Sequence, residues 1–113
     1  MVDDYPVMRE LLREFLQRAN FKVVGEAGTS RELRESYAGW DPDVLILDIL
    51  LPDGNGVENT KHILAMDPAA KIIVISGLED DSSMTGDCIK AGAKKFLPKP
   101  FSSEDLVRAI RAV

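Results

Sequence analysis

Apolar and polar residues follow two patterns along this chain, one with the spacing of a helix and one made of short continuous runs. Apolar side chains recur three and four positions apart over residues 6–19, which predicts an amphipathic helix with Pro6 in its first turn. Residues 44–47 and 72–75 are unbroken apolar runs, which predict strands covered on both faces. Helical and strand patterns therefore alternate.

Weaker signals predict the other elements, from short apolar runs or from residues that cap helices. The last helix has the clearest start, because Ser102 can cap it, Asp105 is at its third position and Phe101 can pack on Leu106. The acidic residues 79–81 are predicted as a solvated loop. The further predicted strands are 22–27 and 96–97, and the further predicted helices are 29–38, capped by Thr29 or Ser30, 56–66, and 82–91, which stops at Gly92.

Strands that alternate with helices predict parallel βαβ units joined by right-handed crossovers. The predicted fold class is therefore α/β, an open parallel sheet with helices on both faces. In such sheets, ligands bind at the carboxyl ends of the strands, at the point where the strand order reverses. The residues that end strands here are Asp3, Asp4, Asp48, Ser76 and Lys99.

These five side chains suit phosphoryl chemistry with a metal. Three carboxylates in a small volume disfavour joint ionisation, and a hard cation such as Mg²⁺ relieves that repulsion. Lys99 and the hydroxyl of Ser76 suit an anionic ligand. A carboxylate can attack phosphorus to form a covalent intermediate. Asp48 is the best nucleophile candidate, because it ends a buried strand and precedes a rigid turn at 52–56.

Composition narrows the class of protein and of partner. The chain has 113 residues, which suits one domain, and a formal charge of -5 from 19 acidic and 14 basic residues. An acidic surface argues against binding to a nucleic-acid backbone and fits protein partners or a cation. Cys88 is the single cysteine, so we expect no internal disulfide and an intracellular protein. No apolar run approaches the roughly 18 residues of a membrane helix, and no signal peptide is expected.

Several short motifs together resemble the response regulator receiver domain of two-component signalling, over essentially residues 1–113. Each motif is weak alone, but their order and spacing are specific as a set. The motifs are Asp3-Asp4, the run Leu45-Ile46-Leu47-Asp48-Ile49-Leu50-Leu51-Pro52 with Gly56, Ser76-Gly77, and Lys99-Pro100-Phe101. The resemblance implies a single-domain, flavodoxin-like (βα)5 fold with five parallel strands in the order 2-1-3-4-5.

The resemblance also implies a role for each site residue. Asp48 would take a phosphoryl group from the phosphohistidine of a sensor histidine kinase. Asp4, Asp48 and the backbone carbonyl of Leu50 would ligate Mg²⁺, and Asp3 would reach it through water. Lys99 would pair with the phosphoryl group, and the Lys99–Pro100 bond would be cis.

Ser76 and Phe96 would form the family's conformational switch, the first turning toward a phosphoryl oxygen and the second rotating inward behind it. Partners would recognise the changed conformation at the face formed by the fourth helix, the fifth strand and the fifth helix. A downstream output protein or domain would bind there, and a homodimer through that face is compatible with the family. The resemblance implies a cytoplasmic protein that catalyses only its own phosphorylation and dephosphorylation, with no nucleic-acid or membrane partner.

The chain departs from the family pattern at four places. Only two residues precede Asp3, so the first strand is short. Three explanations are possible: residues missing from this sequence, a start farther upstream, or a truncated strand. We expect the first two. Ser76 replaces the more usual threonine and keeps its hydroxyl. Phe96 replaces the more usual tyrosine, and without a hydroxyl its ring should favour a buried position. Leu50 is apolar, and we hypothesise that it slows self-hydrolysis.

Three other functions remain to be compared. An aspartyl-phosphate phosphatase would need an acid–base aspartate two positions after the nucleophile, where this chain has Leu50. A flavin-binding domain of the same architecture would need a phosphate loop after the first strand, where Asp3 and Asp4 would repel phosphate. A pseudo-receiver that signals without phosphate would not need the intact set of site residues.

Overall fold

Five helices and five short strands make up the described part of the protein, in a computed structural model that describes residues 1–77 and 82–113. The predicted loop at 79–81 lies outside these residues. The helices are α1 (Pro6–Arg18), α2 (Ser30–Trp40), α3 (Gly56–Met66), α4 (Ser82–Ala91) and α5 (Ser103–Arg111). The strands are β1 (Leu45–Asp48), β2 (Leu50–Leu51), β3 (Gly54–Asn55), β4 (Ile72–Ser76) and β5 (Lys95–Pro98).

The central sheet is parallel, with β4 between β1 and β5. Val2 extends it beyond β1 through parallel bridges to Leu47 and Ala27. Counting the segments at Val2 and Ala27 as the first and second predicted strands, the order is 2-1-3-4-5. The predicted order and the predicted short first strand are both confirmed.

The predicted strand at 22–27 is wrong, because only Ala27 forms a bridge. Among the described residues, the backbone of this segment forms hydrogen bonds to residues 1–3. The Ala27 N–H donates to the Met1 carbonyl (3.1 Å), and the Met1 amine donates to the Gly25 carbonyl (3.0 Å). Residues 22–24 lie beyond the reach of this pairing, so their β-forming side chains do not produce a strand.

Apolar side chains cover both faces of the sheet, as the unbroken apolar runs predict. Successive residues of β1 point to opposite faces: Leu45 and Leu47 belong to a cluster with residues of α2, α3 and α4, whereas Ile46 belongs to a cluster with residues of α1 and α5. The sheet is therefore sandwiched between two layers of helices. Within the described residues, no helix combines the length and the apolar character needed to cross a membrane.

Local signals at the helix ends act as predicted. Thr29 accepts a hydrogen bond from the Glu32 N–H (3.1 Å), and Ser102 and Asp105 form a reciprocal capping box at the start of α5. Helix α2 runs past its predicted end at residue 38 and stops at Asp41, whose φ of 46° is left-handed. Gly92 after α4 has a φ of 120°, a conformation that glycine adopts without strain.

Candidate functional site

The carboxyl ends of the parallel strands bring the predicted site residues together. Val2 is fixed in the sheet, because its N–H donates to the Ile46 carbonyl and its carbonyl accepts from the Asp48 N–H, both at 2.8 Å. This pairing sets Asp3 and Asp4 beside the end of β1. Asp48 is the last residue of β1, and Ser76 is the last residue of β4.

The acidic cluster consists of Asp3, Asp4 and Asp48. One carboxylate oxygen from each lies within 4.8 Å of the others. Asp3 is fully buried and Asp48 is 6% exposed, whereas Asp4 is open to solvent. Oxygen donors of this kind are the ligands that Mg²⁺ prefers, and the exposed Asp4 leaves the cluster accessible. The donor set therefore fits the predicted cation.

Lys99 lies against the buried part of the acidic cluster. Its Nζ donates to Asp3 Oδ2 at 3.3 Å and to Asp48 Oδ2 at 3.2 Å. Burial acts to lower the pKa of Lys99, but the charges of Asp48 and Asp3 outweigh it and raise that pKa. Lys99 is therefore a cation held beside the predicted acceptor.

The charge on Asp48 is unfavourable in this setting. Burial and the neighbouring charge of Asp3 raise the pKa of Asp48 to about 6, although Lys99 and the Leu50 N–H act in the opposite direction. A carboxyl group must be ionised to act as a nucleophile. An additional cation at the cluster would favour the ionised form, so the electrostatics of the site and its metal-ligand chemistry agree.

A short hairpin follows Asp48 where the sequence predicted only a rigid turn. Strands β2 and β3 pair Leu50 with Asn55 and Leu51 with Gly54. The Leu50 N–H donates to Asp48 Oδ1 at 3.3 Å, and the Leu50 side chain is 47% exposed at the site. The hairpin thus holds the backbone of Leu50 next to the predicted acceptor.

Asp53, in the turn of this hairpin, fixes it to α2. Asp53 Oδ1 accepts from the Ser30 N–H at 2.6 Å, and Oδ2 accepts from the Arg31 N–H at 3.0 Å. These hydrogen bonds lower the pKa of Asp53. Sequence analysis assigned Asp53 only to a turn, since its partners are more than 20 residues away and become neighbours only in the folded chain.

Arg9 is a second residue that sequence analysis missed. Its guanidinium donates to the backbone carbonyl of Asp3 and lies close to Gly28. A charged residue on an amphipathic helix is first assigned to solvent. The available signal for this contact was the short spacing between Asp3 and Arg9, which lies about one helical turn into α1.

The two predicted switch residues are near the site, but within the described residues neither forms a side-chain hydrogen bond with Asp48. The Ser76 hydroxyl accepts a hydrogen bond from Thr85 Oγ1 at 3.3 Å and donates to the Gly77 carbonyl at 3.4 Å. The Phe96 ring is 45% exposed, so its expected buried position is wrong for this conformation. On the edge strand β5, Leu97 points into the core, and the adjacent Phe96 therefore points outward.

The turn after β5 carries Lys99 into the site. The Lys99 N–H donates to the Ser76 carbonyl at 2.7 Å, which continues the pairing between β5 and β4. The Lys99–Pro100 peptide bond is cis, as the resemblance implied.

Comparison with known proteins supports the same family. The family pattern described as the response regulator receiver domain matches residues 1–111. The chain is 41% identical to the chemotaxis protein CheY of Thermotoga maritima, covering 100% of this chain and 93% of that protein.

Solved structures of related proteins share the fold. A two-component response regulator of the LuxR family from Aurantimonas sp. SI85-9A1 superposes with a TM-score of 0.89 at 34% identity, covering 98% of this chain and 79% of that one. A chain of the CheX–CheY–BeF3–Mg²⁺ complex from Borrelia burgdorferi gives a TM-score of 0.90 at 26% identity, covering 98% of this chain and 84% of that one. With the strand order and the strand-end residues described above, these matches show that the chain belongs to the response regulator receiver domain family.

Proposed function

We propose that Asp48 accepts a phosphoryl group from the phosphohistidine of a sensor histidine kinase. The observation that carries this proposal is the position of the Asp48 carboxylate, within 4.8 Å of the carboxylates of Asp3 and Asp4 and 3.2 Å from the Lys99 ammonium. A nucleophile next to both potential metal ligands and a fixed cation is the arrangement that phosphoryl transfer needs.

In this transfer, an Asp48 carboxylate oxygen forms the new bond to phosphorus as the bond from phosphorus to the histidine nitrogen breaks. The electron pair of the broken bond stays on the imidazole. Asp48 therefore has to be ionised when it attacks, and the fixed charge of Lys99 favours that form. The Lys99 ammonium then faces the negative charge of the transferred group.

Asp4, Asp48 and the Leu50 carbonyl would hold Mg²⁺, with the buried Asp3 as a further acidic neighbour. When bound, Mg²⁺ neutralises phosphoryl oxygens and orients them for in-line attack. The hairpin β2–β3 and the Asp53 contacts to α2 keep the Leu50 backbone in place. The Arg9 contact to the Asp3 carbonyl supports the backbone of Asp3.

Phosphorylation of Asp48 would be transmitted through Ser76 and Phe96 to the face formed by α4, β5 and α5. Ile89 and Phe96 are large apolar side chains exposed on these elements, at 41% and 45%. Exposed apolar groups on one face suit a protein contact. We propose that a downstream output protein or domain, or a second copy of the chain, binds there, and that the protein acts in the cytoplasm.

The proposed reaction ends on the protein itself, so no separate substrate is turned over. The phosphatase alternative lacks its acid–base aspartate, because Leu50 stands at that position. The pseudo-receiver alternative would leave the paired Asp48 and Lys99 without a role.

Incubation with acetyl phosphate and Mg²⁺, followed by intact-mass measurement, tests the proposal. We expect the wild-type chain to gain one phosphoryl group, and Asp48→Asn or removal of the metal to abolish the gain. Asp43→Asn is the matched control, since Asp43 is an exposed carboxylate in the loop before β1. An unmodified wild-type chain would favour the phosphate-independent alternative. An adduct that persists in Asp48→Asn would contradict Asp48 as the acceptor, because another residue would then carry the phosphoryl group.

A further inference from the structure

The Ser76 hydroxyl has a partner on α4 that the proposed function does not use. Thr85 Oγ1 donates to Ser76 Oγ at 3.3 Å, and Ser76 Oγ in turn donates to the Gly77 carbonyl at 3.4 Å. Ser76 is 8% exposed and Thr85 is 9% exposed, so both hydroxyls are largely shielded from water. Each hydroxyl therefore depends on the protein for its hydrogen bonds.

We propose that Thr85 is a positioning residue that holds the Ser76 hydroxyl toward α4 until a phosphoryl group is present on Asp48. This inference rests on the proposed function of Asp48. A serine side chain occupies one of three staggered positions, so its hydroxyl moves between distinct places. Turning toward a phosphoryl oxygen removes it from the position in which it accepts from Thr85.

The consequence falls on α4. When Ser76 turns away, the Thr85 hydroxyl loses its partner in a place with little access to water, which is unfavourable. Reorientation of Thr85 or a shift of α4 relieves that cost. The hydrogen bond therefore couples the state of Ser76 to the position of a helix on the proposed output face.

Removing the Thr85 hydroxyl should favour the phosphorylated arrangement. In Thr85→Val, the side-chain shape is kept but the bond that opposes the turn of Ser76 is lost. A ligand that binds the minor arrangement then binds more tightly, because less of its binding free energy is spent on the change. One neutral hydrogen bond corresponds to about threefold to tenfold in affinity.

Beryllofluoride with Mg²⁺, a phosphoryl mimic, is the probe, and fluorine NMR of the bound fluoride measures its affinity. We expect Thr85→Val to bind about threefold to tenfold more tightly than wild type. Thr85→Ser should bind like wild type, because it keeps the hydroxyl. In a Ser76→Ala background, Thr85→Val should produce no further change.

Thr60 provides the matched control. It is a fully buried threonine on α3 whose hydroxyl has no hydrogen-bond partner among the described residues, so Thr60→Val should leave beryllofluoride affinity unchanged. A Thr85→Val affinity equal to wild type, or a Thr85→Ser affinity equal to Thr85→Val, would overturn the inference.

A second measurement on the wild-type chain does not depend on the variants. The methyl NMR signal of Thr85 should shift when beryllofluoride saturates the site, and an unmoved signal contradicts the proposed coupling. A wild-type chain that binds beryllofluoride and gains a phosphoryl group but fails these tests overturns only the role of Thr85. A wild-type chain that does neither overturns the proposed function and this inference with it.

Discussion

At the scale of single residues, Asp48 occupies a position that favours chemistry over stability. Burial and Asp3 raise its pKa to about 6 from the ordinary value of 3.8. Its proton therefore contributes stability that is fully present below pH 3.8 and is lost as the pH rises through 6. Near pH 7.5, the folded protein carries a charge that it would be more stable without.

Asp48→Asn should therefore stabilise the protein at pH 7.5 in the presence of a chelator. We expect the free energy of unfolding to rise by about 1–3 kcal/mol, because a pKa shift of one unit corresponds to about 1.4 kcal/mol. The gain should shrink as the pH is lowered toward 4, where Asp48 itself becomes protonated. Urea unfolding at several pH values measures this, and a gain that does not depend on pH would contradict the explanation.

Leu50 is the residue through which the lifetime of the phosphorylated state should be adjustable. Leu50 is apolar and 47% exposed, and its backbone N–H donates to the Asp48 carboxylate. Leu50→Asn should speed loss of the phosphoryl group about threefold to tenfold, since a polar side chain can hold an attacking water. Intact-mass measurement after removal of the phosphodonor gives the rate. Met66→Gln, at an exposed apolar residue at the end of α3, should leave the rate unchanged.

At the scale of elements, the hairpin β2–β3 depends on its connection to α2. Asp53→Asn should weaken the hydrogen bonds to the Ser30 and Arg31 N–H groups, because the amide side chain has one acceptor oxygen instead of two. We expect exchange of these two amide protons to speed up by roughly tenfold or more and Mg²⁺ affinity to fall. Hydrogen-exchange NMR measures the first effect, and Asp43→Asn is again the control. Unchanged exchange at Ser30 would refute this role for Asp53.

The lowered pKa of Asp53 also sets the pH at which this connection fails. A carboxyl group whose pKa is lower in the folded state contributes stability above its ordinary pKa of 3.8 and loses it as the pH falls through the folded value. The hairpin should thus loosen only in acid below about pH 3.8, after Asp48 has already taken up its proton.

Elements whose signals are local could be predicted, whereas contacts between distant segments could not. Thr29 and Ser102 cap their helices through residues three positions away, so the sequence contains the whole interaction. The apolar runs that end at Asp48 and Ser76 allowed the ends of these two strands to be predicted. The segment at 22–27 has the composition of a strand, but pairing depends on a neighbouring segment, and among the described residues its backbone hydrogen bonds are made only to residues 1–3.

The direction in which a side chain points could not be predicted from the sequence either, because it also depends on contacts between distant segments. The strand-end rule placed Asp3, Asp48 and Lys99 together, and the hydrogen bonds of Lys99 bear this out. The partner of the Ser76 hydroxyl depends on how α4 packs over β4. The position of the Phe96 ring depends on which side chains of an edge strand the core has room for.

At the scale of the whole molecule, cation binding should stabilise the folded state, because the site is assembled from separate segments that unfolding would scatter. A ligand at a hundred times its dissociation constant stabilises by about 2.7 kcal/mol if it binds only the folded state. We expect Mg²⁺ to raise the thermal midpoint of the wild-type chain and of Asp43→Asn. Asp4→Asn should lose most of this effect, and a full response in Asp4→Asn would exclude Asp4 as a ligand.

The stabilisation by the cation should be concentrated at residues 1–3. They lie in the sheet between Ala27 and β1, and the Asp3 N–H donates to the Ala27 carbonyl at 3.0 Å. Separation of residues 1–3 from Ala27 and β1 would break up the acidic cluster while β1, β4 and β5 stay paired. Mg²⁺ should then slow hydrogen exchange at Asp3 and Ala27 far more than at Val74 in β4. The bound cation would hold residues 1–3 in the sheet, so the chemistry of the site and the pairing of the sheet at this edge would be gained or lost together.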